Sequence, residues 1–173
     1  YYIKHDTDLR PFKLYSYNIH TKKHSLVYHD KNRSNMIKFS LSSDRQNVCV
    51  DIKNYSSSTP YIVNDNTIKK AMHSKKHERI YIDHWRGNWY VLKKNYTRTS
   101  IYSTKDFKKF DTILPNRKTC TYEKIFLKGD YLIVVIREKQ KRKLLFYNIV
   151  TQKSKYLSLS NTKYSVYFQY ISN

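Results

Sequence analysis

Glycine occurs only twice in the 173 residues and proline only three times. With Gly87 and Gly129 alone, no glycine-rich loop can cradle a phosphate. Asn, Asp, Ser and Lys must supply most of the turns. Cysteine is equally sparse: Cys49 sits in an apolar strand pattern and Cys120 in a polar stretch, and neither has metal-ligand spacing. Both read as free thiols of an intracellular protein, cytoplasmic or nuclear. No apolar run reaches the length of a membrane-spanning helix, so no membrane insertion is expected, and no signal-peptide pattern opens the chain. The first residue is not Met, which allows for a trimmed or missing N-terminus. Acidic residues are scarce, 13 Asp and Glu against 34 Lys and Arg, and no carboxylate pair is marked for acid-base hydrolysis. No amphipathic helix of ordinary length is visible, which excludes α/β crossover folds.

What is present is tyrosine, 18 residues of it, in short runs with the alternation of half-buried strands. The heptad Tyr147-Asn148-Ile149-Val150-Thr151-Gln152-Lys153 repeats Tyr17-Asn18-Ile19-His20-Thr21-Lys22-Lys23 as Tyr-Asn-Ile-x-Thr-x-Lys. The two copies stand three periods of about 43 residues apart, within the range of propellers and solenoids. Weaker copies lie at Pro60-Tyr61-Ile62-Val63-Asn64-Asp65 and Ile101-Tyr102-Ser103-Thr104-Lys105-Asp106. The length suits one domain with one core.

Apolar runs and turn signals divide the chain into cycles of four short strands, a to d, joined as a meander. Three cycles cover about 36–72, 79–114 and 122–159. Residues 1–28 supply strands b to d of a fourth, and 164–173 its strand a. In this order of strands and turns the chain resembles the β-propeller family, closest to divergent WD-repeat or kelch-like blades. Phe39-Ser40-Leu41-Ser42-Ser43-Asp44 is similar to a strand-turn segment of WD-repeat blades, and Leu127-Lys128-Gly129-Asp130 matches it loosely. The resemblance is to the blade plan: there is no Gly-His at a blade start, no Trp-Asp after strand c and no kelch Gly-Gly pair. It implies an all-β propeller of one domain, with four blades closed by both termini or a place in a larger ring. A β-sandwich or barrel of the same strands is the alternative.

Seven histidines invite a metal or acid-base reading. His73 and His77 share an i, i+4 spacing, but in a lysine-rich segment that opposes a cation, so no metal and no cofactor is expected. His84 in Asp83-His84-Trp85 is the candidate for a catalytic histidine, with no local Ser or Cys nucleophile marked beside it. No catalytic residue is assigned and the chain is read as non-enzymatic.

The formal charge is +21, part of which an AT-rich genome would explain. In a propeller the d-to-a loops and b-to-c turns open on one face, and there the cations gather. The candidate binding set is Lys75, Lys76, Arg79, Lys93, Lys94, Tyr96, Arg98, Arg117, Lys118, Arg137, Lys139, Lys141, Arg142 and Lys143. Such a face attracts phosphate backbones by counterion release, with Tyr55 and Tyr96 placed to stack on bases. The expectation is therefore a module docking on nucleic acid, RNA above all, or a ribonucleoprotein. A scaffold or adaptor recognising an acidic protein surface is the alternative, and a propeller hydrolase ranks third.

Overall fold

The computed structural model describes residues 1–139 and 141–158, and no helix occurs among them. The strands are β1 (Tyr2–His5), β2 (Pro11–Asn18), β3 (Lys23–His29), β4 (Met36–Leu41), β5 (Val48–Lys53), β6 (Ser58–Asn64), β7 (Thr67–Lys70) and β8 (Arg79–Trp85). They continue as β9 (Asn88–Lys94), β10 (Thr99–Thr104), β11 (Asp111–Leu114), β12 (Thr121–Lys128), β13 (Tyr131–Glu138), β14 (Lys141–Asn148) and β15 (Ser154–Ser158). Antiparallel pairing sorts them into the meanders β1–β3, β4–β7, β8–β11 and β12–β15. One parallel bridge, Ser58 to Arg79, ties the second meander to the third. These are the blades of a β-propeller. The strand a expected over 164–173 lies outside the described residues.

Turn chemistry explains how so little glycine suffices. Asn18, Asn54, Asn95 and Asn148 each accept, through the side-chain oxygen, backbone N–H groups two and three residues ahead, at 2.7 to 3.1 Å. A short polar side chain thus does locally what a left-handed glycine does elsewhere. Asp65 and Asn66 both take positive φ, 46° and 61°, and close the two-residue hairpin between β6 and β7. Arg86 and Gly87, at 50° and 74°, do the same between β8 and β9. The repeated Tyr-Asn pairs end β2 and β14, and Tyr17, Tyr61, Tyr102 and Tyr147 all fall on the same strand c of their blades.

Blades bury their faces against each other. Leu14 and Val27 of the first blade pack with Ile37, Val50 and Ile52 of the second. Tyr90, Leu92 and Ile101 of the third meet Tyr122, Leu132 and Val134 of the fourth. The second strands β9 and β13 are covered on both sides, which is why Trp89 to Leu92 and Leu132 to Ile136 read as unbroken apolar runs. Truncating Leu92 or Leu132, both fully buried, to Ala would cost about 2–5 kcal/mol.

A polar latch repeats between blades. The hydroxyl of Ser58, at the start of β6, accepts the backbone N–H of Ile80 on β8 at 3.2 Å. The hydroxyl of Thr99, at the start of β10, accepts the N–H of Tyr122 on β12 at 3.0 Å. Both hydroxyl residues are buried. At the opposite end of the strands, Ser43 donates to Asp83 from its backbone (2.7 Å) and its hydroxyl (2.6 Å). The Trp85 indole N–H reaches the Gly129 carbonyl at 2.7 Å, and Arg86 pairs with Asp130. The Ser58 and Thr99 latches hold adjacent blades together at the end of the b-to-c turns and d-to-a loops, and the Ser43, Trp85 and Arg86 contacts join the a-to-b turns at the other end.

Candidate functional site

Among the described residues, three open cavities lie at the end of the b-to-c turns and d-to-a loops, one of them, about 590 Å³, against Glu138, Lys139, Lys141 and Lys143 of the β13–β14 hairpin. The first, about 730 Å³, lies among the β1–β2 turn, the 30–35 loop and the starts of β4, β6 and β8, with Arg33, Lys38, Asp51, Lys53, Tyr55 and Arg79 around it. Arg10 also lines it but is committed elsewhere, to Asp6 at 2.9 Å and to the Asn32 carbonyl at 2.8 Å. One carboxylate oxygen of Asp51 is buried without a hydrogen-bond partner. Burial pushes the Asp51 carboxyl above its ordinary range, against the pull of Lys53, Lys38 and Arg79.

The second cavity, about 740 Å³, lies between the third blade and the loops that flank it. Lys93 and Lys94 come from β9, Arg98 from the 95–98 turn, Lys75 from the 71–78 loop and Lys118 from the 115–120 loop. Tyr102 forms part of the wall. The Lys93 ammonium stands 5.4 Å from the Tyr102 ring centre and 4.9 Å from that of Phe110, so two aromatic faces hold it in place. The one acid of the wall, Glu78, accepts the Lys75 backbone N–H at 3.0 Å.

The candidate set therefore divides. Lys75, Lys93, Lys94, Arg98 and Lys118 converge on the second cavity, while Arg79 lines the first. Arg117 borders a small cleft of about 150 Å³ with Cys120 and Tyr122. Lys76 is exposed and lines none of these. Tyr96 leans on His77, ring centres 5.1 Å apart, with its hydroxyl 3.3 Å from Nδ1. Arg137 and Glu138 end β13 and Lys141, Arg142 and Lys143 open β14, with Arg137 opposite Arg142 and Glu138 opposite Lys141. Arg137 and Arg142 both pair with Glu123 of β12, and Lys143 with Glu138, so only Lys139 and Lys141 of that group stay without an ion pair. Sequence reasoning left Lys38, Asp51 and Lys53 out of the set. Their signal was positional, since the start of strand a and the end of strand b share the end that bears the b-to-c turns.

The sequence matches over residues 1–170 the family model of the prolyl oligopeptidase N-terminal β-propeller domain. The chain belongs to this family. Among solved structures, oligopeptidase B from Trypanosoma brucei with covalently bound antipain superposes with a TM-score of 0.79 at 13% identity. That match covers 92% of this chain and 25% of the other. Oligopeptidase B from Leishmania major gives 0.75 at 12% identity, over the same shares. Prolyl oligopeptidase B from Galerina marginata, solved with a 35mer hydrolysis and macrocyclization substrate, gives 0.60 at 12%, covering 80% of this chain and 21% of that one. No curated protein matches the sequence. The chain thus spans about a quarter of the length of the solved relatives.

Two expectations are corrected by these findings. The propeller is of the oligopeptidase kind, not WD-repeat or kelch. The nucleic-acid docking module is overturned, because the family is that of a peptidase, and the scaffold alternative finds no support there either. In the local geometry Lys93 covers a Tyr102 face, Tyr96 rests on His77, Glu123 and Glu138 pair three cations of the β13–β14 hairpin, and Tyr55 stays exposed at the first cavity. The hydrolase reading, ranked last from the sequence, fits the family best.

The oligopeptidase-type propeller places its histidine and serines in a latch rather than a relay. His84 Nδ1 lies 2.6 Å from Asp44, and the Ser42 hydroxyl donates to the other oxygen of the same carboxylate at 2.7 Å. Serine and histidine meet through the acid, so the imidazole takes no proton from the hydroxyl, as a nucleophile relay requires. Among the described residues no three His, Cys, Asp or Glu side chains could hold a metal ion. Burial, with the Asp83 and Asp44 charges adding, pushes the Cys49 thiol up to about 12, and burial also raises Cys120.

Proposed function

We propose that this chain is a peptide-handling, non-catalytic part of an oligopeptidase-type protein, its cavity-bearing end receiving an unfolded peptide whose cleavage takes place in another domain. The family match over residues 1–170 carries this reading. Supporting it, the Trypanosoma relative holds antipain covalently and the Galerina relative a 35mer substrate. A third relative belongs to a study of inter-domain dynamics in catalysis and specificity of two prolyl endopeptidases, in keeping with a substrate path shared between domains. Each large cavity has the size of a small-ligand site and accommodates a few residues of extended chain. Binding of a remote stretch of substrate is one way a domain without reacting groups raises the turnover of its partner.

The test is peptide capture by the 173-residue chain. Short peptides carrying a photo-crosslinker should label the cavity-bearing end, on segments containing Arg79, Lys94 or Lys118, and the chain alone should leave them uncleaved. Labelling confined to the a-to-b turns, or hydrolysis by the chain itself, would overturn the reading.

A further inference from the structure

Ion pairing is distributed unevenly over this surface. Arg10 is matched by Asp6, Arg86 by Asp130, Arg137 and Arg142 by Glu123, and Lys143 by Glu138. Among the described residues, none of the five cations of the second cavity has an ion-pair partner, although four chain segments bring them together there. Among these charges Lys93 alone is held otherwise, against two rings. Such a cluster loses its mutual repulsion when an anion enters.

The form of the anion follows from the wall. Four of the five cations are ammonium groups, point charges that meet carboxylate and phosphate oxygens alike, and only Arg98 offers a planar fork, so the choice of anion rests on what else lines the wall. Lys93 covers the face of Tyr102, so the aromatic surface within the cavity is not open to a base. Side-chain amides that would read a base edge are already used: Asn95 Oδ1 accepts the Arg98 N–H at 2.7 Å and Asn116 Oδ1 the Thr99 N–H at 3.0 Å. The first cavity differs, since Asp6, Asp8 and Asp51 stand among its cations. Of these two cavities, the second is the one strongly of one sign.

We infer that the cavity bounded by β9, the 71–78 loop and the 115–120 loop selects peptides carrying Asp or Glu side chains. This rests on the peptide-handling reading and adds the substrate class. Lys93 acts as the fixed charge, held between two rings, while Lys94, Arg98 and Lys118 adapt around successive carboxylates.

Fluorescent glutamate-rich, serine-rich and lysine-rich peptides of equal length are titrated into the chain at about 50 and about 300 mM salt, which brackets the range where screening sets in. The glutamate-rich peptide should bind about tenfold or more tighter than the serine-rich one at low salt, with the gap narrowing at high salt, as expected for several exposed charge pairs. The triple variant Lys94→Glu, Arg98→Glu, Lys118→Glu should abolish the preference. Lys108→Glu with Lys109→Glu, at the opposite end of the same blade, should leave it intact. Thermal melts monitor folding, and if the triple variant melts early, the neutral Lys118→Gln and Arg98→Gln variants must each weaken the preference. Equal binding of the glutamate-rich and serine-rich peptides overturns the substrate class but leaves peptide handling standing. Failure of every peptide to bind removes both. A short oligothymidylate of matched charge that displaces the glutamate-rich peptide at lower concentration also overturns the inference, since the cavity would then read phosphate rather than carboxylate.

Discussion

Replacing Thr99 with Val tests whether a single hydroxyl latches the third blade to the fourth. The change keeps the side chain's branched shape and removes the acceptor that takes the Tyr122 backbone N–H at 3.0 Å. Tyr122 is 1% exposed and Thr99 2%, so water does not replace the lost partner. A buried donor left unsatisfied costs about 1–3 kcal/mol. For a domain of this size each kcal/mol moves the melting temperature by about 2–4 °C, so Tm should fall by roughly 2–12 °C. Circular dichroism melts give the size of the effect, and amide hydrogen exchange gives its place. The Tyr122 amide should lose protection beyond that lost by Leu132 or Val134 in the same blade. Ser58→Ala should do the same at Ile80, and the two losses should add, since the latches lie between different blade pairs and share no partner. A Thr99→Val protein with unchanged Tm and a Tyr122 amide as protected as before would refute the latch.

Two half-buried aspartates, Asp44 and Asp51, should act on acid stability with opposite sign. Burial raises the Asp44 carboxyl, but hydrogen bonds from Ser42, Gln46 and His84 outweigh it and leave it below the ordinary value. Its contribution is present above the usual carboxylate range and lost as pH falls through the lowered folded value, so Asp44→Asn should flatten the loss of Tm below about pH 4. Asp51 is raised by burial, so its ionised form is disfavoured in the fold and stability grows as pH falls through the raised value. Asp51→Asn should therefore increase Tm at neutral pH, with the gain shrinking toward pH 4, a trend visible in the same melts. The thiols should be sluggish toward a disulfide reagent at about pH 8, where a group pushed up to about 12 has only about one part in ten thousand as thiolate. Half-buried Cys120 should react first and Cys49 only on unfolding; rapid labelling of both in the native protein would contradict the burial.

The blade plan was legible because it is written in local pattern. Strand c carries its tyrosine at Tyr17, Tyr61, Tyr102 and Tyr147, and asparagine turns follow two of these directly. The convergence of Lys93, Lys94 and Arg98 with two distant loops could be anticipated because an antiparallel meander puts b-to-c turns and d-to-a loops at the same end. The basic hairpin misled because charges were counted along the chain. Glu123, at the irregularity in β12, pairs with Arg137 on the adjacent strand and Arg142 one strand further, 14 and 19 positions away along the chain. The family is carried by the sequence as a whole, which matches its model over residues 1–170, and no short motif concentrates it, in keeping with the 11 to 14% identity to the solved oligopeptidases.

The hydroxyl latch bears on how such propellers diverge. Ser58 and Thr99 bond to a main-chain N–H, a group that every residue but proline presents identically. The bond itself therefore survives any change of the neighbour's side chain except to proline, while the packing beside it, as at Tyr122, still depends on side chains. At the junctions of the second blade with the third and of the third with the fourth, one small hydroxyl thus fixes the position of the adjoining strand without constraining its sequence.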